Sequence, residues 1–110
     1  MAAIELSDEP WSNFSQADYA DAGALCDASL INMNTGPRTG WIKGNCKLPV
    51  REPDGDLNRN GMAAAAAALA GARGPIDASA AAKGAAARTL VGHYRSAGET
   101  PPDSLVRMAG

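Results

Sequence analysis

From Ala63 to Ala68 the chain places six alanines in a row, between Arg59–Met62 and Leu69–Ala72. Alanine has the highest intrinsic helix propensity, because its methyl side chain loses no rotamer freedom in a helix. A helix over Arg59–Ala72 is therefore predicted, capped by Asn58 and ended by Gly71, Gly74 and Pro75. The same run limits the core. Alanine supplies 24 of the 110 residues, and Val, Ile, Leu, Met, Phe, Trp and Tyr together supply another 24. A chain this thin in large side chains buries a modest core and is marginal alone or completed by a partner. An alanine face also lets another backbone come close.

The length suits one small domain with arms and excludes a multi-domain enzyme. A formal charge of -2 lacks the basic excess that phosphate neutralisation needs, so nucleic acid is not the expected partner. No apolar run of about 18 residues occurs, which argues against a membrane span. The stretch Met1-Ala2-Ala3-Ile4-Glu5-Leu6-Ser7-Asp8-Glu9 has no basic n-region and its carboxylates interrupt any apolar run, so it reads as no secretory signal and a soluble protein made in a cytoplasm is expected.

Three of the five aromatic residues, Trp11, Phe14 and Tyr19, lie within residues 1–24, among Ser, Asp, Asn and Ala. This segment reads as an extended N-terminal arm, with a short helix from Ser15 to Ala22 as the alternative. Its aromatics either fold back to complete the thin core or anchor in another protein, where aromatic side chains dominate interface energy. Residues 25–110 read as a small domain. Leu25–Met33 and Trp41–Val50 have strand character on either side of a turn cluster centred on Gly36, with a bulge expected near Gly44 and Pro49 at an edge or strand end. This hairpin, residues 25–50, is followed by the 59–72 helix and a second helix over 78–97. The second helix is capped by Asp77 or Ser79, stopped by Gly98 and striped with Ala80, Ala87, Leu90, Val91 and Tyr94. A short Gly-Ala-Arg-Gly-Pro link makes the two an αα-hairpin, and the tail 98–110 adds about one helical turn. The predicted class is α+β: an extended arm, a β-hairpin and an αα-hairpin.

Few residues group into chemistry. Asp56, Asn58, Asn60 and Gly61 match the opening of a calcium-binding EF-hand loop, but its twelfth position, where a bidentate carboxylate closes the coordination, is Ala67. A turn with an N-cap uses the same residues without metal. Cys26 and Cys46 are nearly symmetric about Gly36 and would face each other in a regular hairpin, making them a candidate disulfide. In a reducing cytoplasm the expectation is two buried thiols, although a particle that leaves the cell could oxidise them later. Neither cysteine has zinc-site spacing. His93 has no serine or cysteine at a spacing that suggests a triad, and Arg51, Arg59, Arg73, Arg88 and Arg95 read as a solvated face. No catalytic, cofactor or metal residue is assigned, and an enzyme is not expected.

The stretch from Cys46-Lys47-Leu48-Pro49-Val50-Arg51-Glu52-Pro53-Asp54-Gly55-Asp56 to Leu57-Asn58-Arg59-Asn60, with the alanine helix and Ala70-Gly71-Ala72-Arg73-Gly74, resembles a small module of actinobacterial tailed phages and prophages. The ending Ala86-Ala87-Arg88-Thr89-Leu90-Val91, Tyr94-Arg95 and Pro101-Pro102 to Ser104-Leu105 is similar to the same module, which is encoded near or fused to head-assembly proteins such as prohead proteases. The resemblance covers residues 10–107. It departs at Gly61 and Gly84, each costing a helix interior about 1 kcal/mol relative to alanine. It implies a capsid decoration or minor capsid protein in the virion, bound to the major capsid protein and self-associating on the lattice. Trp11, Phe14, Tyr19 and Trp41 are the candidate partner-binding residues. The alternatives are an assembly accessory of a prohead protease or scaffold, and a small phage protein that binds nucleic acid or inhibits the host.

Overall fold

The computed structural model describes residues 4–72, 74 and 76–110. In chain order these form α1 (Ala22–Ala28), β1 (Ser29–Asn32), β2 (Cys46–Pro49), α2 (Arg59–Leu69), α3 (Ala80–Ser96) and α4 (Asp103–Ala109). Short 3-10 turns lie at Trp11–Asn13, Gln16–Asp18, Arg38–Gly40 and Lys43–Asn45. The class is α+β, with one antiparallel hairpin and four helices among the described residues.

Helix α1 takes the place of the first half of the predicted strand Leu25–Met33. Asp21 accepts a bond from the Ala24 N–H at 2.8 Å and so caps Ala22-Gly23-Ala24-Leu25, a stretch with no β-branched residue to favour a strand. Extended chain begins only at Ser29, whose hydroxyl donates back to the Leu25 carbonyl. The strands then pair without a slip, Asn32 opposite Cys46, Ile31 opposite Lys47 and Ser29 opposite Pro49. Two predictions are corrected here. The pairing is symmetric about Thr39 rather than Gly36, and Lys43–Asn45 forms a 3-10 turn where a bulge at Gly44 was expected. Pro49 is the last residue of β2, where a missing N–H is tolerated.

Asn58 caps α2, as the sequence predicts, by accepting from the Gly61 N–H at 2.8 Å. The helix ends at Leu69, three residues before the predicted Ala72. Gly71 adopts φ +90°, and the N–H groups of Gly71 and Ala72 bond back to Ala68 and Ala67. This pair of hydrogen bonds satisfies two of the last carbonyls and turns the chain out of the helix. Helix α3 starts from Ser79, which accepts from Ala82 N–H at 3.1 Å, and stops in the same way at Gly98, φ +73°.

The main core joins Leu6, Val50, Met62, Leu90 and Leu105 across both halves of the molecule. Ala65 and Ala66 of α2 and Ala86 and Ala87 of α3 are buried in it, so small side chains act as core residues where helices come close. The predicted αα-hairpin is incomplete as a description. The tail folds into two turns of helix, α4, and α3 packs most extensively on it through the buried Leu105. The segment read as an extended arm lies along the body: Ser7 donates to Leu57 O and accepts from Arg59 N–H, both at 2.9 Å, and Leu6 enters the core. A second, smaller cluster gathers Tyr19, Leu25, Cys26, Ala28 and Cys46. Among the described residues, no helix is long and apolar enough to cross a membrane.

Candidate functional site

The N-terminal aromatics are positioned by the first turn of α2. Asn58 is fully buried, 0% exposed, and one amide does three tasks. Its Oδ1 caps the helix, while its Nδ2 donates to Glu52 Oε2 at 2.8 Å and to the Glu9 carbonyl at 3.0 Å. Asn60 Nδ2 also donates to the Glu9 carbonyl, at 3.0 Å, and Arg59 Nε donates to Asp8 Oδ1 at 2.7 Å. Pro10 then enters the 3-10 turn that carries Trp11.

The Trp11 indole lies flat on α2 at Gly61. A Cβ at that position would sit 3.0–3.1 Å from three indole carbons, closer than ordinary packing allows. The glycine that weakens the helix is therefore the seat of the tryptophan. Phe14 leans on the same indole, with ring centroids 5.6 Å apart and planes at 53°. Trp11 and Pro49 form a ridge between two shallow depressions of about 190 Å³ each. One is lined by Leu48, Gly61, Ala64 and Ala68, the other by Phe14, Gln16, Tyr19 and Leu25. Leu48, in the first, has φ +61°, the one positive value outside glycine among the described residues. Leucine held there costs about 1–2 kcal/mol, so the surrounding contacts impose it.

The four candidate partner-binding residues do not share one surface. Trp11 and Phe14 are half-buried and line the face just described. Tyr19 is a core residue, 4% exposed, and its hydroxyl donates to the Arg51 carbonyl. Burial first, then the charges of Glu52 and Asp18, hold the Tyr19 hydroxyl above its ordinary pKa, so it stays protonated as that donor. Most of the Tyr19 ring is therefore packed inside this chain's own smaller cluster. Trp41 lines a different depression, of about 370 Å³, with Asp21, Gly23, Arg38 and Thr39. Its indole N–H donates to Gly36 O at 3.1 Å, and the Arg38 guanidinium lies 5.6 Å over its ring.

Cys26 and Cys46, the candidate disulfide pair, are bonded, with Cα atoms 5.2 Å apart. The geometry differs from a cross-strand pair. Cys26 lies in α1, and the residue opposite Cys46 is Asn32.

The EF-hand resemblance dissolves into turn chemistry, because Asn58 Oδ1 serves the Gly61 N–H and Asn60 Nδ2 holds backbone carbonyls. The carboxylates of Glu52, Asp54 and Asp56 lie within 4.8 Å of one another. Two of their oxygens already have partners, Glu52 Oε2 with Asn58 and Asp54 Oδ1 with the Asp56 N–H.

His93 is half-buried on α3. Burial first, then the charge of Arg51, hold its pKa below the ordinary 6.5. The unfolded chain therefore binds a proton that the folded chain resists. Stability is full above about pH 6.5 and falls as the pH drops below it. Urea titrations between pH 5 and 8 should show this decline, and His93→Gln should flatten it. Asp27 acts in a lower window. Its hydrogen bonds to Arg38 hold its carboxyl below the ordinary 3.8, a contribution present above that pH and lost as the pH falls through the folded value.

Gly61 gives a second test. Gly61→Ala should shift Trp11 emission to the red by lifting the indole off α2. In a Trp11→Ala background the same change should stabilise the protein by about 1 kcal/mol, because only helix propensity is then at stake. Additive effects in the double-mutant cycle would show that the two residues are not coupled.

Sequence reasoning missed Asn34, which braces the loop after β1, the left-handed Leu48, and the hold of Asn58 on the N-terminal segment. The Asn58–Glu9 bond spans 49 residues, so no local pattern announces it. Fold and site together define a small disulfide-bonded α+β module that carries a shallow apolar face beside an alanine helix. No family model, no curated protein and no solved structure matches the chain.

Proposed function

We propose that this chain is a capsid decoration or minor capsid protein of a tailed phage, docking on the major capsid protein through the face of Trp11, Phe14, Leu48 and Pro49. The observation that carries this reading is that face. The segment before its aromatic rings is held by the buried Asn58, a glycine seats Trp11 and Phe14 packs on that indole, so little side-chain entropy remains to be lost on docking. The resemblance of residues 10–107 to the phage head module supports the same reading. Each contact would be modest, and repetition over a lattice would add them together. Capsid binding would also stabilise a core-poor fold by mass action.

Two measurements test this. Quantitative protein analysis of purified source particles should find the chain at a fixed high ratio to the major capsid protein, in full and empty heads alike. Absence from mature particles would favour the prohead-protease accessory. On isolated capsids, Trp11→Ala combined with Phe14→Ala should weaken binding by at least tenfold, about 1.4 kcal/mol, while the variant remains folded. Full binding by that variant would remove the face from the interface.

A further inference from the structure

The Trp11 face carries an uncommitted hydrogen-bond donor. Trp11 and Pro49 form the ridge between its two depressions, each of about 190 Å³. The Trp41 indole N–H is spent on the Gly36 carbonyl, whereas the Trp11 indole N–H has no acceptor among the described residues. Every buried side-chain nitrogen among those residues has a partner, so the Trp11 Nε1 is open to solvent at the ridge. Two apolar hollows of equal size thus flank one free donor. That pattern selects among peptide shapes, because the donor needs a backbone carbonyl while the hollows take apolar side chains. An α-helix spends its carbonyls on its own N–H groups four residues on. An added β-strand needs an edge that supplies N–H groups in turn, and Pro49 supplies none. A polyproline II segment has no internal hydrogen bonds, so its carbonyls stay free while its side chains repeat every three residues. Proline also holds that shape before docking, so less entropy is lost.

Charge sets a second requirement. Beside the hollow of Phe14 and Tyr19, Asp18 Oδ2 accepts from the Ser15 N–H at 2.7 Å, and Glu9 Oε2 accepts from Asn13 Nδ2 at 3.3 Å. The ion pairs among the described residues, Arg38–Asp27, Arg59–Asp8 and Arg59–Glu99, leave both carboxylates without a cation. Lys43 also reaches this rim, with its Nζ on the Gln16 and Tyr19 carbonyls. Tyr19, in the wall of the hollow, nonetheless feels the negative charge of Glu52 and Asp18. A basic residue beside the prolines complements that rim and sets the direction of the segment. The chain's own proline pair, Pro101-Pro102, lies between Glu99 and Asp103 and has the wrong sign for it. A second copy is therefore not the occupant.

Building on the docking role given to this face, we propose that it binds a proline-rich, polyproline II segment of the partner protein with a basic residue beside the prolines. A backbone carbonyl of the segment accepts from the Trp11 indole N–H. Apolar side chains enter the hollows on either side of the ridge, and the basic residue lies towards Asp18.

The test uses the full chain and blocked synthetic peptides, followed through the Trp11 Nε1–H resonance, which Trp41→Phe assigns. A peptide of Leu-Pro pairs ending in Arg-Arg is expected to shift that resonance saturably. Replacing its prolines by alanine should weaken binding by about tenfold or more, and replacing Arg-Arg by Glu-Glu by about fivefold. These changes leave the protein untouched, so they decide the matter should a variant not fold. Trp11→Phe keeps a ring without the N–H and should weaken binding by about fivefold. Asp18→Asn keeps the oxygen that accepts from Ser15 and should cut the preference for Arg-Arg over Glu-Glu by about twofold or more. No saturable shift, or equal binding of the alanine peptide, would overturn the proposal. So would tighter binding of an amphipathic helical peptide, or self-association that Trp11→Ala abolishes. If the chain binds capsids through Trp11 and Phe14 yet ignores the peptide, this proposal fails and the capsid reading stands. If it takes the peptide and not capsids, the reverse holds.

Discussion

Asn58→Ala is expected to lower the unfolding free energy by about 3 kcal/mol, measured by urea denaturation at neutral pH. Loss of the N-cap accounts for about 1 kcal/mol of this. The remainder comes from the groups left behind: the Glu52 carboxylate, 6% exposed, loses its one hydrogen-bonded side-chain partner, and the Glu9 carbonyl loses a donor. A buried acceptor stripped of its donor costs about 1–3 kcal/mol. Asn58→Asp separates the two contributions. It keeps the capping oxygen but removes both N–H donors and places a second carboxylate against Glu52, so it should be no more stable than the alanine variant. Full stability in Asn58→Asp would mean that the cap alone matters. In a domain whose whole stability is of the order of 5–15 kcal/mol, the alanine loss is a large part of the total.

The second large effect is expected at Leu90→Ala. Leu90 is 0% exposed in the middle of α3, in the same cluster as Met62 and Leu105. Truncation removes its transfer energy and leaves a cavity, a combined cost of about 2–5 kcal/mol. The upper half of that range is expected here. Ala65, Ala66, Ala86 and Ala87 share the cluster, and methyl groups on fixed helices have no length with which to fill the space. Leu90→Met should cost under about 1.5 kcal/mol, because it conserves volume. A loss below about 1 kcal/mol for Leu90→Ala, in thermal and urea denaturation alike, would show that the helices can collapse into the gap.

What the sequence reveals and what it hides follow the same physical division. The alanine run, Asn58 as a cap and the glycines at the helix ends are local signals, and α2 and α3 form where they point. The hairpin was legible as two strands about a turn. Its register was not, because the turn cluster offers Gly36 and Gly40 with nearly equal claims and the alternation in Ser29–Asn32 is too short to choose. Helix α1 was hidden because Leu25-Cys26 reads equally as strand or helix, and the Asp21 cap decides only once a helix is considered. The disulfide pair was raised on a symmetry the hairpin does not have. The two sulfurs meet because α1 turns back over the start of β2. At the candidate site, Trp11 and Phe14 were found by their chemistry. That Gly61 seats the indole, and that Tyr19 belongs to the core, depend on contacts between distant parts of the chain, for which a single sequence carries no mark.

The bond from Ile4 N–H to Ser96 O, and those joining Ser7 to residues 57–59, give the fold an order in time. During synthesis residues 4–9 emerge before their partners at 57–59, about fifty residues later, and before Ser96, about ninety residues later. Until α2 is made the Trp11 turn has no helix to rest on, and until α3 is complete Leu6 has no finished core to enter. Pairings across such long separations form late, after loop closure has been achieved. A nascent chain halted before α2 would hold Trp11 and Phe14 in solvent, open to proteases and to any apolar surface nearby. Helices α2 and α3 thus govern when residues made before them become structured.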